Sequence, residues 1–114
     1  MTDASLFDGP ATDVVHSTLA DAARRAVVRT LATNGGTGTV AELARVVAGE
    51  GDPESGGSTH RHRHRIRLHH HHLPKLADAG VVEYDVDAGH VRLTAFGETV
   101  ERVRRTSAEL LADR

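Results

Sequence analysis

Basic and imidazole side chains are concentrated in one stretch of this chain, residues 60–75. The stretch reads HRHRHRIRLHHHHLPK and contains four Arg, one Lys and seven His, with no Asp or Glu. Arg and Lys contact DNA phosphates and base edges, whereas neutral imidazole is a ligand for transition metals. The residue types therefore point to two kinds of chemistry, nucleic-acid binding and metal coordination.

The spacing of apolar residues predicts an amphipathic helix over residues 61–79. We expect one side of this helix to face a core, with His69 as a packed core residue and Leu68 outside the inward face. At about 100° per residue, the inward side carries Ile66, His69, Leu73, Leu76 and Ala77, with His62 beside them. The opposite side would be exposed and cationic. It carries His60, Arg63, His64, Arg67, His71 and Lys75.

Capping residues set the expected length of this helix. Ser58 or Thr59 is suited to the N-cap, and Gly80 is suited to the position just past the C-terminal end. Pro74 lies inside the pattern, and its ring would crowd the carbonyl group of His70, so we expect a kink or a short break there.

A β-hairpin is predicted after the helix. Residues 81–85 and 90–94 are rich in β-forming side chains, and residues 86–89 contain Asp87 and Gly89, which are typical of turns. A helix followed by a hairpin is the second half of a winged helix.

The run HHLPKLADAGVVEYD, the Gly-containing turn and VRLT resemble the closing motif of a winged-helix domain of unknown function that is widespread in halophilic archaea. The resemblance covers residues 13–94 and is strongest at residues 73–85. It implies a fold that is mainly α with a small β-hairpin wing, a winged helix-turn-helix, and a regulatory role. ArsR- and MarR-like regulators share the weaker pattern L-x-x-L-x-x-A-G followed by a wing. The family offers no assigned chemistry to carry over.

Composition limits the classes that fit the chain. Its 114 residues predict one domain with a modest core, and the absence of Cys excludes disulfides and thiolate metal sites. No apolar run approaches a membrane span of about 20 residues, and the N-terminus has no signal-peptide pattern. We therefore expect a cytoplasmic protein without a membrane partner. Outside residues 60–75 the chain has nine basic against sixteen acidic residues, which is compatible with a salt-rich cytoplasm.

The N-terminal half predicts three further helices. Residues 1–11 should form a loose tail, and Thr12 or Asp13 should cap a short helix. Asp21 should cap a second helix over residues 22–33, which ends at Asn34-Gly35-Gly36. Its inward positions are Val27, Val28 and Leu31, whereas Arg24 and Arg25 are expected to be solvated rather than paired with Asp13 or Asp21. After an extended stretch at residues 38–40, a helix over residues 41–48 should bury Leu43, Val46 and Val47.

Two regions complete the organisation. Residues 49–57 contain four Gly, one Pro and three acids, which predicts a surface loop. Residues 12–97 would form the winged-helix domain, and residues 98–114 a terminal helix that pairs two copies into a homodimer. The apolar stripe that would make this contact consists of Phe96, Val100, Val103, Ser107, Leu110 and Leu111.

The first functional hypothesis is a transcription regulator that binds double-stranded DNA. Arg63 and Arg67 lie one turn apart on the exposed face, within reach of phosphates or guanine edges. An unperturbed imidazole has a pKa of about 6.5, so the His residues would add positive charge in mild acid. Acidic residues on the wing, Glu83, Asp85 and Asp87, argue against a phosphate-gripping hairpin. The candidate DNA contacts are His60, Arg61, Arg63, His64, Arg65, Arg67, His71, Lys75 and Arg92.

Two alternatives remain open. One is a metal-responsive regulator, because His60 and His64 form an i, i+4 pair and residues 69–72 are all His. Consecutive side chains on a helix diverge by about 100°, and neither Cys nor a nearby carboxylate completes a ligand set. We therefore assign no metal or cofactor. The other alternative is a winged-helix module for protein contact. No catalytic motif is present, so we do not expect an enzyme.

Overall fold

The computed structural model describes residues 10–49 and 57–112, with side chains for residues 11–49 and 62–112. Residues 1–9 of the expected tail and 50–56 of the expected loop lie outside the described residues. Its elements are α1 (Pro10–Leu19), α2 (Ala22–Thr33), β1 (Thr37–Thr39), α3 (Val40–Val47), α4 (Gly57–Arg67), a π-helical turn (Leu68–His72), α5 (Leu73–Asp78), β2 (Val82–Asp85), β3 (His90–Leu93) and α6 (Ala95–Ala112). The described part is therefore mainly helical with a small antiparallel sheet, and in it no helix is both long and apolar enough to cross a membrane.

The three strands form one antiparallel sheet in the order β1-β3-β2. The predicted hairpin is confirmed, and Tyr84 of β2 lies opposite Val91 of β3. On its other edge β3 pairs with β1, where Gly38 lies opposite the same Val91. This second pairing brings together segments far apart in the chain. The sequence predicted only that residues 38–40 are extended, and Val40 is already the first residue of α3.

The hydrophobic core lies between the helices and one face of the sheet. Its fully buried side chains come from α2, α3, the π-helical turn, α5, the hairpin strands with the preceding residue 81, and α6: Val27, Val28, Leu31, Leu43, Leu68, Leu73, Leu76, Val81, Val82, Val91 and Val100. The predicted inward face of α2 is thus confirmed. In α3, Leu43 is buried as predicted, but Val46 and Val47 are only half-buried.

The beginning of α3 explains that difference. Thr39 accepts a hydrogen bond from the Glu42 backbone N–H at 3.1 Å, and the Glu42 carboxylate accepts one from the Thr39 backbone N–H at 2.8 Å. This capping box starts the helix at Val40, so that Val40 and Ala44 join Leu43 in the core. The T-x-x-E pattern at residues 39–42 is the signal that the sequence interpretation missed.

The ends of α2 agree with the sequence. The Asp21 carboxylate accepts hydrogen bonds from the backbone N–H groups of Ala23 at 2.8 Å and Arg24 at 3.1 Å. Asn34 is the C-cap, and Gly35 follows with a φ of +76°, which favours glycine.

Helix α1 begins earlier than expected, at Pro10 rather than after Thr12. Proline is well accommodated in a first helical turn, because its missing N–H has no intrahelical acceptor there.

The last helix also begins earlier than expected, at Ala95 instead of Glu98. The Thr94 hydroxyl accepts a hydrogen bond from the Gly97 backbone N–H at 3.0 Å, which caps the first turn. Only the first half of α6 packs on the core: Val100 is buried and Phe96 is half-buried. Leu110 and Leu111 near its end are 66% and 64% exposed.

Candidate functional site

The His/Arg-rich segment folds as one long helical element, residues 57–78, interrupted by the π-helical turn. The helix begins at Gly57, so Ser58 and Thr59 lie inside it rather than capping it. In the turn, the Leu73 backbone N–H donates to the Leu68 carbonyl group, five residues back. A kink or short break was expected at Pro74, and the structure has a π-helical turn at residues 68–72 instead. Pro74 itself lies in the first turn of α5.

The other end of the element is the predicted one. Gly80 has a φ of +81°, and its N–H donates to the Ala77 carbonyl group at 3.0 Å. The next N–H, that of Val81, donates to the Leu76 carbonyl group at 2.9 Å. These two bonds form a Schellman motif, which ends the helix and directs the chain into β2.

The π-helical turn changes which residues face the core. Because it contains one residue more than an α-helical turn, Leu68 rather than His69 lies one turn before Leu73. Leu68 is accordingly fully buried, whereas Ile66 is 45% exposed. The predicted inward positions of Leu73 and Leu76 are correct. The prediction was wrong for Ile66 and Leu68, because it assumed an unbroken 3.6-residue period.

Most of the predicted DNA contacts lie on the exposed surface of this element. The side chains of Arg63, Arg65, Arg67, His71 and Lys75 are exposed, and that of His64 is half-buried. The backbone of His60 and Arg61 belongs to α4, but their side chains lie outside the described residues. We call the five exposed side chains the basic surface.

The remaining predicted contact, Arg92, is on β3 and is not part of the basic surface. Its guanidinium is exposed and forms a salt bridge with Glu83 on β2, with Nε donating to Oε1 at 2.9 Å. The pair crosses the outer face of the hairpin, where the two residues lie opposite each other in the ladder. The carboxylate therefore offsets the only Arg of the hairpin.

The helical element contacts the hairpin through His69. Its Nδ1 forms a hydrogen bond with the Tyr84 hydroxyl, and the two rings pack edge to face with centroids 5.9 Å apart. Burial raises the pKa of the Tyr84 hydroxyl, so the phenol stays protonated in neutral solution. His69 is half-buried, whereas the sequence predicted a packed core position. Its hydrogen bond with Tyr84 connects the helical element to the sheet.

A buried polar contact on the other side of the element was not predicted. Arg24 and His72 are both almost fully buried, at 8% and 3% exposure. The Arg24 Nε donates to His72 Nδ1 at 3.4 Å, and Nη1 donates to the Ser17 hydroxyl at 3.2 Å. The expectation that Arg24 is solvated was therefore wrong. Its i, i+3 and i, i+4 spacing to Val27 and Val28 is the local signal of an inward position that the sequence interpretation missed.

The environment of His72 favours the neutral imidazole. Burial lowers its pKa below the usual 6.5, the nearby Asp21 carboxylate opposes this, and the Arg24 charge lowers it further. A neutral ring with an unprotonated Nδ1 can accept the hydrogen bond from Arg24. Burial tends to raise the pKa of Asp21, but the backbone N–H groups of Arg24 and Ala23 and, when His72 is protonated, the imidazolium charge together lower it. The cap of α2 is thus electrostatically coupled to the π-helical turn.

The histidine cluster does not converge on one point. The rings of His69 and His70 meet edge to face with centroids 4.6 Å apart, and those of His71 and His72 with centroids 4.9 Å apart. Two Nδ1 atoms already have partners, Tyr84 and Arg24. Among the side chains of residues 11–49 and 62–112, no three His, Asp or Glu groups are arranged to hold a metal ion.

A cleft of about 370 Å³ separates α4 and the π-helical turn from the hairpin. The helical wall includes His62, Arg65 and Ile66, and the hairpin wall includes Val86 and Asp87. The hydrogen-bonded pair of His69 and Tyr84 also lines it. Cationic, imidazole, carboxylate and aliphatic groups thus meet in one concave site, which shares Arg65 with the basic surface.

Residues 16–92 match the protein family described as a domain of unknown function, DUF7344. This range covers more than half of the chain. The chain belongs to the DUF7344 family. The matched range begins within α1 and ends in β3, so it includes the basic surface, the π-helical turn and the hairpin except its last residue. Comparison with curated proteins and with solved structures gives no significant match.

Proposed function

We propose that this DUF7344 protein is a winged helix-turn-helix regulator that binds double-stranded DNA through the helical element at residues 57–78. The order of elements supports the fold assignment. A helix, a short strand, two helices and a hairpin follow one another from α2 to β3, and the short strand pairs with the hairpin. In a helix-turn-helix domain the second of the two helices enters the major groove, and here that helix carries the basic surface.

The basic surface is the observation that carries the proposal. It presents Arg63, Arg65, Arg67 and Lys75 on a chain whose net charge is −2. Guanidinium groups form bidentate hydrogen bonds with phosphates and with guanine edges. Positive charge concentrated on one helix of an otherwise acidic protein creates a local field that attracts a polyanion, although the whole molecule is not basic.

The hairpin contributes little to this attraction. Arg92 is paired with Glu83, and Asp85 and Asp87 add negative charge close by. Phosphate contacts must therefore come mainly from the helical element. We expect few phosphate contacts and a moderate salt dependence.

The test is fluorescence anisotropy of a labelled mixed-sequence duplex over a salt series, with chelator present to exclude metal-mediated binding. The variant Arg63→Glu/Arg67→Glu should bind at least about tenfold more weakly, and its log Kd should vary less steeply with log salt, because each lost phosphate contact lowers the slope by about 0.9. The matched control is Arg102→Glu/Arg105→Glu, which makes the same charge change at exposed positions of α6. An equal loss in both variants would indicate attraction without a defined binding surface.

We further propose that α6 pairs two copies into a homodimer. Leu110, Leu111 and Val103 are large apolar side chains exposed along this helix, and paired domains would read two half-sites. Light scattering after size exclusion should report a dimer that Leu110→Asp/Leu111→Asp converts to a monomer. Ala108→Asp, also exposed on α6, is the control for a single added charge. A native chain that is monomeric at all accessible concentrations would refute this part.

One observation favours a second function, a winged-helix module for protein contact. The acidic hairpin and the basic surface lie on one small domain, which suits a partner with both signs of charge. If the native chain does not bind duplex DNA even at low salt, this function becomes the leading one. The alternative of a metal-responsive regulator rests on the histidines. It is tested by comparing the anisotropy of the labelled duplex in the presence of zinc and in the presence of chelator.

A further inference from the structure

The cleft between the helical element and the hairpin carries one large, exposed aliphatic side chain on each wall. Ile66 on α4 is 45% exposed, and Val86 at the start of the hairpin turn is 55% exposed. Both are large aliphatic side chains, and each belongs to a different element. Covering both at once would remove apolar surface from water on two sides of a bound molecule.

Nitrogen-bearing groups lie around these walls. Arg65, His62 and His70 line the cleft from the helical element, and each side chain is exposed. His69 is half-buried there, with its Nδ1 engaged by Tyr84. Asp87 is the only carboxylate lining the cleft among the described residues. The nitrogen donors therefore outnumber the carboxylates, while the formal charges of Arg65 and Asp87 balance when the imidazoles are neutral. A ligand that accepts hydrogen bonds at Arg65 fits this lining better than one that only donates them.

We propose that this cleft binds a small organic acid with a flat apolar body, of the aromatic carboxylate class. The carboxylate would form a bidentate pair with the Arg65 guanidinium, with an imidazole of His62 or His70 as a further donor. The ring would lie between Ile66 and Val86. The volume of about 370 Å³ is within the usual range for small-molecule sites, which combine apolar walls with a few polar groups that fix orientation.

The site shares Arg65 with the basic surface but differs from that surface in the ligand that it selects. A phosphate backbone needs cations but gains little from aliphatic walls, whereas an aromatic acid uses both. Binding of this ligand does not depend on the proposed function in DNA recognition, because the described residues that line the cleft are sufficient to make the proposed contacts. A bound acid would contact the helical element and the hairpin together, and it would stabilise their present relative position.

The experiment is a titration of the full ¹⁵N-labelled chain with 2-naphthoate, followed by amide chemical shifts, beside the uncharged probe 2-naphthamide. Naphthoate should produce saturable shifts centred on Ile66, Val86 and Gly89, and naphthamide should bind at least about tenfold more weakly. Arg65→Gln should weaken naphthoate binding by a similar factor, since a charge-assisted hydrogen bond is lost. Arg63→Gln removes the same charge from the same helix outside the cleft, and it should change the affinity by less than twofold.

The apolar wall needs its own variant. Val86→Ser, in the exposed turn, should weaken naphthoate binding without altering the fold, which the amide spectrum reports directly. Equal binding of the amide and the acid would overturn the proposal, as would equal losses in Arg65→Gln and Arg63→Gln. Shifts spread along α4 without saturation would also overturn it, because they would indicate only diffuse attraction of an anion to the basic surface. None of these outcomes depends on whether the chain binds DNA.

Discussion

At the scale of single residues, His72 is the group whose chemistry the fold changes most. Its folded-state pKa lies below the ordinary value of 6.5, mainly because of burial. The unfolded chain therefore binds a proton more readily than the folded chain between these two pKa values. The resulting contribution to stability is fully present above about pH 6.5, and it is lost as the pH falls from there through the folded pKa.

We expect the free energy of unfolding, measured with urea, to fall between pH 7 and pH 5. Protonation would place a charge beside Arg24 and remove the Nδ1 acceptor. His72→Gln should flatten part of this decline, because glutamine does not titrate. His71→Gln removes an exposed neighbouring imidazole and should leave most of the decline in place. If both variants behave alike, His72 is not the responsible group.

The burial of Leu68 and the exposure of Ile66 distinguish the observed helix with its π-helical turn from the regular α-helix that the sequence predicted. Leu68→Ala removes a fully buried side chain and should cost about 2–5 kcal/mol, whereas Ile66→Ala, at a half-exposed position, should cost less than about 1 kcal/mol. An unbroken α-helix would reverse this order. Urea unfolding of the two variants at one pH decides between the arrangements.

The structural role of a single residue was predictable when it depended only on residues a few positions away in the sequence. Asp21 before a helical pattern and Gly80 after one both have the expected roles, because caps depend on neighbouring backbone groups. Arg24 was not predictable from charge alone. Its guanidinium is buried because a histidine 48 positions away provides the acceptor, and no local pattern reports such a partner.

At the scale of elements, the π-helical turn is explained by Pro74. In an α-helix the proline ring would crowd the carbonyl group four residues before it, at a cost of about 3 kcal/mol. We infer that a turn widened by one residue immediately before the proline relieves this contact. The same turn keeps Leu68 and Leu73 in the core. The sequence indicated where the helix would be disturbed, but not that an extra residue would be accommodated.

This explanation predicts coupling between the turn length and the proline. Deleting His70 alone would restore an α-helical spacing between Leu68 and Leu73 and bring the proline ring back against a carbonyl group, so it should destabilise the chain. Combining the deletion with Pro74→Ala should recover most of the loss. A double-mutant cycle of urea unfolding energies measures the coupling, which we expect to exceed about 1 kcal/mol. Additive energies would mean that the turn has another cause.

At the scale of the whole molecule, the sequence predicted the long helix and the hairpin, but it did not predict that β1 pairs with β3 as the third strand of the sheet. The hairpin strands are adjacent and joined by a turn with its own signal, so their pairing is local. The pairing of β1 with β3 joins residues 37–39 to residues 90–92, and three residues of TGT carry too little pattern to specify it. The candidate cleft was missed for the same reason, because its two walls belong to elements that meet only in the folded chain.

The distribution of charge over the molecule leads to the last prediction. If the helical element binds DNA, the Glu83 carboxylate weakens that binding in two ways. Its own charge repels phosphates, and its salt bridge engages the Arg92 guanidinium, which could otherwise contact a phosphate. Glu83→Gln should therefore raise DNA affinity severalfold at low salt and steepen the salt dependence, by up to about 0.9 in the log–log slope if Arg92 gains a phosphate contact. Glu109→Gln, at an exposed position of α6, makes the same charge change away from the hairpin and should have a smaller effect. Equal gains in the two variants would show that only net charge matters. No gain in Glu83→Gln, in a chain that binds DNA, would place the hairpin away from the duplex, and the helical element would then be the whole of the interface.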